Sequence, residues 1–233
     1  MRAGLVCLLV ATAELSASTA IGQATTRACT PVEEPGPACL LARQRVSHLP
    51  SGRLYWLIDR FSNADRARKA GLPTSTVIQA FKATWLFTLS GANWRAKGGE
   101  RVTQIGPLPI PLAPSYQAEY LRSIFAPGTT APLHRHSGPE AFFAVDGDTC
   151  LETPDGVQIG RGPGNSLLVK AGTPMLLMAI GKVPRRGFAL ILHDAGAPPT
   201  TLTQAWQPTG LCARQLTADQ ARATAPMINA NKG

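Results

Sequence analysis

The sequence predicts an all-β protein: one sandwich or barrel of short strands, with minor flanking helices. Three observations predict it. Gly (22) and Pro (20) are plentiful and spread along all 233 residues, which favours many turns over long helices. Apolar segments at 141–145, 150–153, 166–170, 175–180 and 188–193 are separated by Asp146-Gly147, Asp155-Gly156, Gly162-Pro163-Gly164 and the stretch 181–186. That spacing is the one sandwiches and barrels show. The apolar fraction of 44% suits a chain that buries a core, and the absence of an internal repeat argues against a second barrel.

In chain order, residues 1–24 read as an export signal. Arg2 supplies the positive start, 3–13 an apolar run, and Gly22-Gln23-Ala24 a small-x-small cleavage site, with cleavage after Ala20 as the alternative. The run is shorter than the ~20 residues a membrane span needs. Residues 25–50 are Pro-rich and expected to be irregular, and 51–200 carry the strands. The first is expected at 54–61. Ser62 or Asn63 then caps a short helix to Ala70 that Gly71 and Pro73 stop. Residues 76–89 make one or two strands. Pro107, Pro109, Pro111 and Pro114 mark a surface loop, and 116–125 is again a strand. In the tail, 201–233, a helix is expected over 218–227, opened by the capping-box spacing of Thr217 and Gln220.

Removal of the signal leaves Cys29, Cys39, Cys150 and Cys212. Four cysteines allow three pairings. Cys29 with Cys39, and Cys150 with Cys212, are the expected disulfides in a secreted or periplasmic protein. No CxxC redox or zinc spacing is present. The net charge of +9 is scattered over small groups such as Arg66, Arg68 and Lys69, or Arg185 and Arg186. No basic run is interleaved with aromatics, so nucleic acid is not an expected partner. The charge reads as a solvated surface or as attraction to anionic surfaces or substrates.

The chemistry concentrates in residues 128–147, GTTAPLHRHSGPEAFFAVDG. His134 and His136 are two apart, so a strand sends both imidazoles to one face. Ser137-Gly138-Pro139 turns the chain, and Glu140 opens the next strand beside them. Two imidazoles, one carboxylate and open positions make a recurrent divalent-metal site, non-haem iron included. A Ser/His/Asp constellation, a phosphate loop, a dinucleotide fingerprint and an HExxH helix are all absent.

This stretch resembles the cupin family, whose first motif, G-x5-H-x-H-x3-E-x6-G, is matched at every specified position. The resemblance implies a single jelly-roll β-barrel, extended by N-terminal strands, with His134, His136 and Glu140 as metal ligands. The second family motif, G-x5-P-x-G-x2-H-x3-N, is matched only at Gly164 and Gly172. Lys170 stands for its proline, Met175 for its histidine ligand and Ala179 for its asparagine. A thioether suits Cu(I) better than the harder ions a glutamate favours. Met175 is therefore expected to line the cavity with Phe142, or to pack in the core, rather than to ligate. Leu176, Leu177 and Met178 are further candidates for an apolar cavity wall, and His193 is a candidate substitute imidazole. No role is read for His48.

Two functions follow from the resemblance. One is a metal-dependent enzyme holding Fe(II), Mn(II) or a similar ion, an oxygenase of the quercetin-dioxygenase-like kind acting on a small organic substrate. The other is a barrel that binds a small molecule without turnover and with weak or no metal. A small-molecule substrate or ligand is the expected partner, and a homodimer is left open.

Overall fold

The computed structural model describes residues 26–224, so the export signal and the end of the predicted tail lie outside the described residues. The strands are β1 (Gly36–Val46), β2 (Tyr55–Phe61), β3 (Ser75–Ala80), β4 (Ala83–Ser90), β5 (Glu100–Ile105), β6 (Tyr116–Phe125), β7 (His134–His136), β8 (Glu140–Asp146), β9 (Asp148–Thr153), β10 (Gly156–Gly160), β11 (Ser166–Val169), β12 (Leu176–Ile180), β13 (Arg185–Asp194) and β14 (Thr200–Leu202). Two helices, α1 (Ala64–Ala70) and α2 (Leu211–Thr224), flank them.

The central sheet has the order β1-β6-β13-β8-β11. On one side it faces β10-β9-β12 and β14-β7, which the bridges Thr130↔Met178 and His134↔Met175 join into one surface. These two layers are the jelly roll; among the described strands no sheet closes on itself. On its other side the central sheet carries the four-stranded sheet β3-β4-β2-β5. The N-terminal extension thus takes two forms. β1 lengthens the central sheet, while the strands from Tyr55 to Ile105 add a third layer instead of extending the jelly roll.

Strand alternation sorts the side chains between the two cores. On β13, Phe188, Leu190 and Leu192 enter the core shared with Trp56, Ile58 and Phe87 of the N-terminal sheet. Ala189 and Ile191 enter the jelly-roll core with Leu121, Phe142, Leu151 and Met175. Phe87 meets Trp56 at 5.2 Å and Phe188 at 5.0 Å, both edge-on. Each such pair adds about 0.5–1.5 kcal/mol beyond area burial. The β3–β4 hairpin turns on Phe81 and Lys82, at φ 53° and 56°, where Asn-Gly is usual. Its hold is tertiary: Glu33 accepts the Phe81 N–H, the ring packs 5.1 Å from Phe188, and the Arg186 guanidinium lies 4.8 Å above it.

Both expected disulfides are formed, Cys29–Cys39 and Cys150–Cys212. α1 starts on Asn63, whose side chain accepts the Arg66 N–H. Several expectations are corrected. The stretch 25–50 is not irregular throughout, because β1 pairs with β6 over most of its length. β5, β10 and β14 are additional strands, and Arg185 and Arg186 belong to β13 rather than to a turn. α2 begins at Leu211, directly after Gly210, and not at Ala218. Its orphan N–H groups are satisfied from a distance: Glu152 of β9 accepts from Thr209 N, Thr209 Oγ1 and Cys212 N at 2.6–3.1 Å. Thr217 sits inside the helix, donating to Ala213 O, so a local capping motif does not set the start.

Candidate metal centre

β7 is three residues long, and its position is fixed from both sides. It pairs with β14, Thr200 opposite His136 and Leu202 opposite His134. Toward β12, Met175 N donates to His134 O and Gly172 N to His136 O. The Ser137-Gly138-Pro139 turn then delivers Glu140 to the first position of β8, which pairs with Ile191 of β13. The turn is pressed onto β13: a Cβ on Gly138 would stand 1.9 Å from Leu192 O, and Leu192 N donates to Pro139 O.

The consequence is convergence. One donor atom from each of His134, His136 and Glu140 falls within 4.8 Å of the others. His136 and Glu140 are 3% exposed, and His134 is half-buried at the rim. Both imidazoles are preset by backbone carbonyls. His134 Nδ1 lies 2.6 Å from Pro132 O, and His136 Nδ1 lies 3.0 Å from Pro199 O and 3.1 Å from Thr200 Oγ1. A carbonyl only accepts, so each Nδ1 carries a hydrogen and each Nε2 is left to face the cluster. This is the arrangement a metal-ligating histidine needs, fixed by the outer-shell bond that usually accompanies it.

His136 Nε2 and Glu140 Oε2 are 2.8 Å apart, yet neither atom makes a hydrogen bond of acceptable geometry. At that separation a protonated His136 pairs with the Glu140 carboxylate, and a cation that displaces the proton can take both atoms as ligands. A donor set of two imidazoles and one carboxylate fits a divalent cation. Burial and the neighbouring His136 push the pKa of His134 below the usual histidine value, outweighing the Glu140 carboxylate. For His136 burial acts downward, but the adjacent Glu140 carboxylate outweighs it and holds the value up.

The cluster opens on a cavity of about 390 Å³ between the jelly-roll layers. Its wall is mainly apolar, with Leu121, Phe125, Phe142, Leu177 and Ala189, and Ser123 and Thr200 add hydroxyls. Of the residues read as wall candidates from sequence, Phe142 and Leu177 line it. Met175 does not: it is fully buried in the apolar core behind the cluster. Leu176 and Met178 face the opposite side, around the Cys150–Cys212 disulfide. His193 is buried on β13, its Nδ1 2.7 Å from Asp194 O and its Nε2 4.0 Å from Glu119 Oε1, and it is outside the three-residue donor cluster. Sequence reasoning missed Thr200, Pro199 and Ser123, which carry no motif; only pairing across the fold brings them to the site.

The family model for the cupin domain matches residues 121–184, the stretch that carries this cluster. Among solved structures, the chain is similar to an oxalate oxidase in complex with the substrate analogue glycolate: 20% identity, 36% of this chain and 44% of that one, TM-score 0.31. It is similar to a cupin domain from Bordetella pertussis Tohama I: 21% identity, 31% and 78% coverage, TM-score 0.28. It is also similar to a DMSP lyase from Ruegeria pomeroyi DSS-3: 19% identity, 38% and 42% coverage, TM-score 0.30. The chain thus spans less than half the length of the oxalate oxidase and of the lyase. No curated protein matches the sequence.

Proposed function

Residues 121–184 are a cupin domain, and from that premise we propose that the protein is a metal-dependent, oxygenase-like enzyme acting on a small organic substrate. His134, His136 and Glu140 would hold Fe(II), Mn(II) or a similar ion. The observation that carries the reading is the convergence of one donor atom from each of His134, His136 and Glu140, with His136 Nε2 and Glu140 Oε2 buried and 2.8 Å apart. Three protein ligands leave coordination positions open, where such an ion supplies Lewis-acid or oxygen-activating chemistry. The chain supplies the rest. Leu121, Phe125 and Phe142 exclude bulk water from the bound substrate. Pro132, Pro199 and Thr200 fix the two imidazole tautomers.

Elemental analysis of the purified protein, with oxygen-consumption assays on flavonoids and catechols, tests the reading. About one bound ion per chain, lost in His136→Ala, and oxygen uptake that falls with it are expected. Absence of metal, or uptake unchanged in His134→Ala, refutes the reading.

One observation favours a second reading, a non-catalytic small-molecule binder with weak or no metal. Met175, at the place of the second-motif histidine, is buried in the apolar core and adds no fourth donor. Native mass spectrometry separates the two: an organic ligand without metal supports the binder. Export to an oxidising compartment is part of the proposal, and the two disulfides support it. Among the described residues no helix is long and apolar enough to cross a membrane.

A further inference from the structure

Arg185, at the start of β13, is fully buried. It is the one buried cation beside the jelly-roll core, among the described residues, that the reading above leaves without a task. Its Nε donates to Thr149 Oγ1 at 2.9 Å and its Nη1 to Ser123 Oγ at 2.8 Å. Nη2 has no partner among the described residues. The direction of the side chain follows from the strand. Arg185, Gly187 and Ala189 share one face of β13, and a Cβ built on Gly187 would lie 3.1 Å from Arg185 Nη2. The guanidinium therefore lies over Gly187, in the space a side chain there would fill, and runs toward Ala189. Ala189 lines the cavity, and so does Ser123, which stands opposite Gly187 on β6.

We propose that Ser123, held from behind by Arg185, forms an anion-receiving inner end of the cavity, and that the ligand is a small organic carboxylate whose apolar body rests on Leu121, Phe125 and Phe142. This names the ligand class of the site proposed above and rests on that reading. The buried guanidinium has the Glu140 carboxylate acting on it as a counter-charge, and with an ion drawing on that carboxylate an anion at Ser123 restores the compensation. Ser123 Oγ accepts from Arg185, which leaves its own O–H to donate into the cavity. With a divalent ion on two neutral imidazoles and Glu140, the inner region carries net positive charge that an anion offsets. Burial lowers the Arg185 pKa to about 10, so the group stays charged at neutral pH. Exposed Arg27 at the cavity rim adds a second positive group on the way in.

Benzoate and its neutral isostere benzamide are suitable probes for isothermal titration calorimetry on manganese-loaded protein, with metal content measured on every sample. The wild type is expected to bind benzoate about tenfold or more tighter than benzamide, the scale of a hydrogen bond to a charged group. Ser123→Ala and Arg185→Met should each cut that preference several-fold, down to the part the ion supplies, with metal content retained in both. Should Arg185→Met fail to fold by circular dichroism, Ser123→Ala decides alone. Equal affinity for the two probes overturns the proposal, as does a preference that Ser123→Ala leaves unchanged, since the ion would then be the whole source of it. Wild-type protein without metal refutes the metal-centre reading instead, so the two failures are distinguishable.

Discussion

Gly138→Ala separates a metal centre set by tertiary packing from one that is merely a cluster of suitable residues. Gly138 needs no unusual φ; its constraint is space. The added methyl would stand 1.9 Å from Leu192 O, 2.6 Å from Leu192 C and 2.7 Å from His193 Cα, all backbone atoms that no rotamer change can move aside. Real Cβ contacts stay beyond 3.0 Å, so the turn and β13 must separate by about 1 Å, well past the ~0.5 Å tolerance of a preorganised site. The turn joins His136 to Glu140 directly, so the displacement reaches the 2.8 Å approach of Nε2 to Oε2. Overpacking of this kind costs about 1–3 kcal/mol of stability, and a disturbed outer shell lowers metal affinity roughly 10- to 100-fold. Manganese affinity by chelator competition and thermal unfolding of the metal-free protein measure the two effects separately. Wild-type metal affinity in a folded Gly138→Ala protein would refute the argument that the packing of this turn on β13 sets the site.

The Cys150→Ser, Cys212→Ser double variant opens a loop of 62 residues and should lose about 4 kcal/mol on the chain-entropy account. Opening Cys29–Cys39, 10 residues apart, should lose about 3 kcal/mol; denaturant unfolding compares them. Glu152 is buried, and burial alone would raise its carboxyl; the donors from Cys212, Leu211 and Thr209 outweigh burial and hold it below the usual range. With the folded value below the unfolded one, its contribution is fully present above the unfolded pKa and is lost as pH falls through the folded value. Thermal melts of wild type and Glu152→Gln should therefore differ at pH 7 and converge at strongly acidic pH; a constant gap would contradict the linkage.

Much of the site was legible because a local pattern dictates it. His134, His136 and Glu140 lie within seven residues, and the two-residue period of a strand plus one tight turn is enough to bring them together. β8, β11 and β12 were legible for a similar reason: each is an apolar run bounded by turn formers. What escaped the sequence depends on distant partners. β1 contains Arg43, Gln44 and Arg45, polar enough to read as irregular, yet it pairs with β6 through register and through the Arg43–Glu119 ion pair at 2.7 Å. α2 starts where Glu152 reaches it, 57 residues away from Thr209, so Thr217 and Gln220 gave the wrong boundary. β14 has three residues and no apolar run, and only its pairing with β7 makes it a strand.

The amino-acid sequence by itself determined the all-β character and the three candidate ligands, because each follows from spacing over short stretches, while counting left three pairings of the four cysteines and the fold chose between them. The tertiary structure alone decided that Met175 turns into the core while Leu177 faces the cavity, that backbone carbonyls of Pro132 and Pro199 fix both imidazoles, and that Arg185 is buried beside Ser123. Those facts depend on which strand lies next to which, and strand neighbours are set by the summed burial of two cores rather than by any local segment.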